Sequence, residues 1–233
     1  GEMGRAHSFR EAVNWLEDIM GCPATVNPGN DWKNCPPDTL QAVIEDTRVE
    51  PSKHNALIKY LGSRNIPPDI GMKYCKEVHY TVGERRFFGL CFMNILGGME
   101  IRSASFKGCH GVKAPSVIQV SKERRTPACC VFEGFMDFLS YMTLWERGDE
   151  SIVQDVPCDC IVTNSTSLVR KAIPFIDVYE QAFCYFDNDD AGRDAFWKIW
   201  SAIGGRAYDM SGRYLGSNDL NDALMYNLPS GLV

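Results

Sequence analysis

The stretch Tyr185-Phe186-Asp187-Asn188-Asp189-Asp190-Ala191-Gly192-Arg193 ends an apolar run and sets two carboxylates one residue apart ahead of a helix-forming segment. Alternate residues of an extended chain share a face, so Asp187 and Asp189 aim to one side. Carboxylates packed so closely repel each other unless protons or a cation neutralise them. Two other acidic sites have the same setting. Glu133 follows the run Ala128 to Phe132 in Val131-Phe132-Glu133-Gly134-Phe135-Met136-Asp137, and Asp219 and Asp222 follow Ala207 to Met210 in Asn218-Asp219-Leu220-Asn221-Asp222.

Working outward, four short apolar runs (Ala128 to Phe132, Cys158 to Thr163, Ala182 to Phe186, Ala207 to Met210) alternate with helical patterns over Phe135 to Glu146, Ser167 to Phe175, Ala191 to Ile203 and Asn221 to Tyr226. This alternation predicts an α/β domain with a parallel sheet flanked by helices. Right-handed crossovers then bring every strand's C-terminal end to one edge, where ligands bind in open α/β sheets. All three acidic sites fall on that edge. A hard divalent ion is the natural partner, since Mg²⁺ takes an octahedral oxygen shell and commonly uses one or two protein carboxylates beside substrate phosphates. The competing role is helix capping, which needs no metal. For Asp190 and Asp222 the two roles stand level; for Glu133, Asp187 and Asp189 the convergence of separate strand ends favours the ion.

Upstream the character changes. Residues 51 to 130 carry thirteen Lys and Arg against five Asp and Glu, a balance of +8, which leaves −14 elsewhere in a chain of net charge −6. A basic middle and an acidic remainder suggest surfaces with different tasks. Ser8-Phe9-Arg10-Glu11 is a capping box that opens an amphipathic helix to Met20, and the proline- and glycine-rich residues 22 to 37 read as a linker. A short helix is expected from Pro37 to Asp46 and another after Ser52, with Ala56, Leu57, Tyr60 and Leu61 on one face and a stop at Asn65. From Val78 to Ile118 short β-rich runs, Arg86 to Met93 and Met99 to Phe106 among them, predict hairpins in a small mixed α+β subdomain. The domain reading is therefore 1–50 for helix and linker, 51–127 for the basic subdomain, and 128–233 for the α/β domain.

The 233 residues, 45% hydrophobic and 23% charged, have ordinary globular composition, which excludes fibrous and disordered classes. No apolar stretch is long enough for a membrane helix and no signal peptide opens the chain, so a cytoplasmic protein with no membrane partner is expected. Ten cysteines without a C-x-x-C spacing read as buried free thiols rather than as disulfides or zinc ligands. There is no G-x-x-x-x-G-K-[ST] phosphate loop, hence no helicase motor in these residues.

The acidic segments resemble the toprim domain shared by bacterial primases, type IA and II topoisomerases, OLD-type nucleases and RecR proteins. Glu133-Gly134-Phe135-Met136-Asp137 is similar to the primase form E-G-Y-M-D, and Asp187 to Ala195 to D-G-D-x-A-G-R-x-A. The third element departs from the primase D-P-D-E: Asp219-Leu220-Asn221-Asp222 has an asparagine at the second acidic position. Upstream, Ala56-Leu57-Ile58-Lys59-Tyr60-Leu61 with Arg64-Asn65-Ile66 resembles a primase segment that has glycine in place of Asn65. The run from Arg86-Phe87-Phe88-Gly89 through Gly97-Gly98-Met99-Glu100-Ile101-Arg102 to Lys107 resembles the basic subdomain that precedes toprim in DnaG-type primases. The likeness covers roughly residues 53 to 226.

The resemblance implies a DNA primase catalytic core that makes short RNA primers on single-stranded DNA by nucleotidyl transfer. It implies Mg²⁺ or Mn²⁺ as cofactor, bound by Asp187 and Asp189 with Glu133 as ligand or general acid/base, and by Asp219 or Asp222. Its partners would be single-stranded DNA template and ribonucleoside triphosphates, with a replicative helicase reached through parts of the protein outside these residues. Phosphates would be met by Arg64, Arg85, Arg86, Arg102, Lys107 and Lys113, with Phe87 and Phe88 placed to stack on bases. A toprim nuclease and a non-catalytic nucleic-acid-binding module are the alternatives.

Overall fold

The computed structural model describes residues 44–50, 54–82, 84–121 and 124–226. The N-terminal helix and linker of the sequence reading, and residues 37–43 of the next helix, lie outside them. These described residues fall into two compact units, one through Lys113 and the other from Ala114 onward. None of their helices is long and apolar enough to cross a membrane.

The first unit is a five-stranded antiparallel meander, β1 (Ile44–Glu50), β2 (Lys76–Val82), β3 (Arg85–Met93), β4 (Met99–Ser103) and β5 (Phe106–His110), in sequential order. Residues 44–46 therefore begin a strand, not the end of a helix: pairing with β2 outweighs local helix propensity. The single run expected over Met99 to Phe106 is two strands joined by a turn at Ala104 and Ser105, with Arg102 opposite Lys107. Two helices intervene between β1 and β2. α1 (Asn55–Ser63) starts at His54, whose ring accepts the Ala56 N–H, and gives way to Asn65 in the left-handed region at φ 56°. α2 (Pro68–Tyr74) has proline at its start, where no N–H is needed. The pleat gives the sheet two different faces: one carries Val78, Tyr80, Cys91, Met99 and Ile101 as a small apolar cluster. The other carries Glu77, Leu90, Phe92, Glu100 and Arg102, and His54 of the α1 cap stacks on Phe88 of that face at 3.9 Å.

The second unit is the expected α/β layer with a mixed sheet. Strands β6 (Ser116–Ile118), β7 (Ala128–Phe132), β8 (Asp159–Val162), β9 (Gln181–Tyr185) and β10 (Ala207–Asp209) lie in the order β10-β9-β7-β8-β6. All neighbouring pairs are parallel except β6, which runs antiparallel along the β8 edge. Helices α3 (Phe135–Arg147), α4 (Val169–Ile176), α5 (Asp190–Ile203) and α6 (Leu220–Tyr226) flank it, α4 being led in by a 3₁₀ turn at Thr166–Leu168 capped by Ser165. β7 and β8 are buried throughout, which is why they read as unbroken apolar runs.

Two buried features fix this layer. Asp159, fully buried at the start of β8, accepts the Val120 N–H at 2.9 Å, the Thr126 N–H at 3.3 Å and the Tyr179 hydroxyl at 3.0 Å. It thereby ties the segment leading into β7 to the sheet. The eight described cysteines are all free and buried, five of them in or beside β7, β8 and β9; burial raises the Cys91 thiol to about 11 and pushes Cys129 and Cys160 well up.

Candidate catalytic edge of the mixed sheet

From β7 the chain moves to β8 on one side, then crosses back to place β9 on the other side of β7. The C-terminal ends of β7 and β9 are therefore where the connections diverge, the position at which open α/β sheets hold ligands. Phe132 pairs with Tyr185, and their rings stack at 5.4 Å. Glu133 follows directly on one strand and Asp187 two residues beyond the register partner on the other, with strands about 4.8 Å apart. Buried Tyr214 stacks on Tyr185 at 6.4 Å, its hydroxyl donating to the Phe186 carbonyl at 2.7 Å.

The electrostatic centre of this edge is Asp137, which the sequence reading quoted in a motif but gave no role. It lies in the first turn of α3, is buried, and accepts the Asn221 N–H from the first turn of α6 at 3.3 Å. Burial holds its carboxyl well above the usual carboxylate range, and the charges of Asp219, Asp187 and Glu133 raise it further against the opposing Asn221 N–H. Three of the expected acidic residues are thus within electrostatic reach of one buried group. Burial, Asp137 and Asp187 likewise raise the Tyr214 hydroxyl. The clue in the sequence was spacing: Asp137 is one helical turn from Glu133, on the first turn after the strand.

Asp189 and Asp219 each carry a second duty. Asp189 caps α5 by accepting the Gly192 N–H at 2.8 Å, and Asp219 accepts the Asp222 N–H at 2.6 Å at the start of α6. The cap is the residue before the helix, not Asp190 or Asp222 inside it. Asp190 pairs on the surface with Arg193, and Asp222 donates its N–H to the Asp219 carboxylate. Asn221 turns inward and donates to Ser140 at 2.8 Å, so the asparagine at the variant position braces α6 against α3. Gly192 has a steric reason: a Cβ there would stand 2.1 Å from the Asp187 carbonyl oxygen, so the helix closes on the turn only without a side chain. Asn188 fixes the same turn, its N–H donating to the Asn218 carbonyl at 2.6 Å and its side chain to Ser217 at 2.9 Å.

The donor set at this edge is wholly carboxylate oxygen, the chemistry that suits Mg²⁺ or Mn²⁺. Among the described residues the edge carboxylates do not bring three ligand atoms within 4.8 Å of one another; Glu50, Glu77 and His79 of the other unit do.

The cations of the antiparallel sheet separate into two groups. Arg102 lies 3.9 Å from buried Glu100, whose carboxyl is raised by burial and lowered in turn by Arg102, a hydrogen bond from Cys109, Lys113 and Lys107. Arg64 and Arg102 both act on the half-buried Tyr60 hydroxyl, which burial raises. Arg64, Arg102, Lys107 and Lys113 thus share one electrostatic neighbourhood. Arg85 and Arg86 start β3, both exposed, and as consecutive strand residues they point to opposite faces. Phe87 is 40% exposed, whereas Phe88 is committed to the His54 ring.

Comparison with known proteins agrees with this layout. Residues 130–224 match the family model described as Toprim-like, and residues 46–111 match one described as Domain of unknown function (DUF8464). No curated protein matches the chain by sequence. The crystal structure of the primase fragment of the bacteriophage T7 primase-helicase protein is 19% identical, with a TM-score of 0.50, 70% of this chain covered and 66% of that one. The chain thus spans just under two thirds of that fragment, and the likeness is one of fold. A chain from the bacteriophage T7 lagging-strand DNA polymerase structure, solved with the primase domains of two gp4 subunits bound to an RNA/DNA hybrid and dTTP, is 16% identical with a TM-score of 0.48, covering 76% of this chain and 85% of that one.

Proposed function

With residues 130–224 a toprim-like domain in a chain that shares the fold of a primase fragment, we propose that the protein is a primase core that synthesises short RNA primers on single-stranded DNA. The observation that supports this reading most is that Glu133 and Asp187 follow the paired strand ends of β7 and β9 while buried Asp137 accepts the N–H of Asn221, two residues after Asp219, at the divergence point of the sheet. Asp187, Asp189 and Asp219 would hold Mg²⁺ or Mn²⁺, with Glu133 beside them as a further ligand or as general acid/base. When bound, such an ion supplies the positive charge that nucleotide phosphates and leaving pyrophosphate require. Asp189 and Asp219 are pre-set for this work, because each cap bond holds one carboxylate oxygen to a helix N-terminus and fixes the orientation of the other. In the antiparallel unit, Arg64, Arg102, Lys107 and Lys113 would hold nucleic-acid phosphates without reading bases, and exposed Phe87 offers a stacking surface.

The test is a Mg²⁺ and Mn²⁺ titration with single-stranded template and labelled ribonucleotides, scoring oligomer synthesis against strand cleavage. Metal-dependent synthesis that falls at least about 100-fold in Glu133→Gln and Asp187→Asn supports the primase reading. Cleavage in its place identifies a nuclease. Binding that ignores metal and both substitutions identifies a non-catalytic module.

A further inference from the structure

The antiparallel sheet holds a second set of ligand-type side chains, built by a register shift. Ile44 pairs with Val82 and Glu45 with Thr81, and in that register Glu50 would face Lys76. A β-bulge between Glu45 and Arg48 inserts one residue, so that Glu50 instead faces Glu77. The shift replaces an opposite-charge pair with a like-charge pair, which is destabilising across two antiparallel strands. Bulges of this kind re-aim side chains and gather near functional sites. His79, two residues beyond Glu77, shares its face.

The three groups meet at one point. The His79 Nε2 atom lies 2.7 Å from Glu77 Oε1 and 3.1 Å from Glu50 Oε1, and one ligand atom from each residue lies within 4.8 Å of the others. A single ring N–H directs one good hydrogen bond, yet two carboxylate oxygens from different strands approach it. Around an ion with metal–ligand distances of about 2.1 Å, adjacent octahedral ligand atoms stand about 3 Å apart. Both observed separations are close to that spacing. We propose that Glu50, Glu77 and His79 form a binding site for a first-row divalent transition ion of the Zn²⁺ or Mn²⁺ class, to which one imidazole nitrogen and two carboxylate oxygens are suited.

The surroundings divide the labour among the ligands. Glu77 is the fixed member, its side chain 5% exposed and its second oxygen accepting the His54 N–H at 3.0 Å. Glu50 and His79, with side chains 39% and 37% exposed, face water. That leaves outer positions for waters or a phosphate oxygen. Arg48, 3.1 Å from Glu50 Oε1 and 72% exposed, is the competing cation that an arriving ion would displace into solvent. The opposing account is a protonated His79 shared between two carboxylates with no ion.

Zn²⁺ and Co²⁺ titrations of the whole chain by calorimetry and absorption distinguish the two. The wild type takes up one equivalent that a Glu133→Gln/Asp187→Asn protein retains, while His79→Ala and Glu50→Gln weaken it at least about 10-fold with unchanged circular dichroism. The Co²⁺ form shows weak ligand-field bands without thiolate charge-transfer absorption, which separates this site from the buried cysteines. Equal affinity in His79→Ala and Glu50→Gln overturns the proposal, as does a wild type that binds no ion below about millimolar.

Discussion

Asp159 and Asp137 are both buried carboxylates of the mixed sheet, one at the start of β8 and the other just past the end of β7. Asp159 collects three protein donors. Asp137 receives one long backbone bond and faces the charges of Asp219, Asp187 and Glu133. The difference teaches what each end of the sheet is for. At the N-terminal end a buried carboxylate serves architecture, tying residues 120–126 to the strands; at the C-terminal end several carboxylates act on one another across the buried Asp137, the arrangement on which the proposed cation-binding role rests.

The sharpest way to break this contrast is Asp159→Ala, which leaves the Val120 and Thr126 N–H groups and the Tyr179 hydroxyl without their acceptor. We expect a loss of about 3–5 kcal/mol in urea denaturation with little change in m; a loss below about 1 kcal/mol would make the two ends equivalent. Gly192→Ala comes next. Its Cβ would meet the Asp187 carbonyl at 2.1 Å, so about 2–3 kcal/mol is lost; on the proposed function, any thermal stabilisation by Mg²⁺ falls with it, because the turn that carries Asp187 is displaced.

Asp137→Asn sharpens the comparison through pH. A carboxyl raised in the folded state binds its proton more tightly there than in the unfolded chain. Its contribution is fully present below the unfolded value, near 4, and is lost as pH rises through the folded value. The amide variant lacks that slope. Its stability relative to wild type should therefore climb above about pH 4, at up to about 1.4 kcal/mol per pH unit, in urea titrations across pH. A constant difference from pH 4 to 8 would show that Asp137 titrates normally. The smallest effects separate neighbours: Asp189→Ala should cost about 1 kcal/mol as a lost cap, while Asp190→Ala, whose side chain is almost wholly exposed, should leave the urea midpoint unchanged.

The mixed sheet was legible because its signals are local. β7 is an unbroken buried run whose limits, Ala128 to Phe132, can be read from the residues alone, and the carboxylates follow the strands at fixed spacing. What stayed hidden depends on distant partners. β1, Ile-Glu-Asp-Thr-Arg-Val-Glu, has poor strand propensity and is extended because β2 pairs with it. β6 has three residues and is a strand only beside β8. The caps fall earlier than Asp190 and Asp222, by one residue at Asp189 and by three at Asp219, because both capping residues precede the first helical turn. Glu50 and His79 are 29 positions apart, and only a bulge brings them together, so no spacing rule could have paired them.

The buried cysteines have a practical consequence. With their sulfurs screened from water and, at β7 and β9, held as neutral thiols, these strands should resist alkylating reagents while the sheet is closed. Mass-spectrometric labelling rates would then serve as an intrinsic clock for strand opening, and slower labelling of Cys129, Cys130 and Cys184 on adding divalent ion would measure how strongly cargo at one rim steadies the strands beneath it.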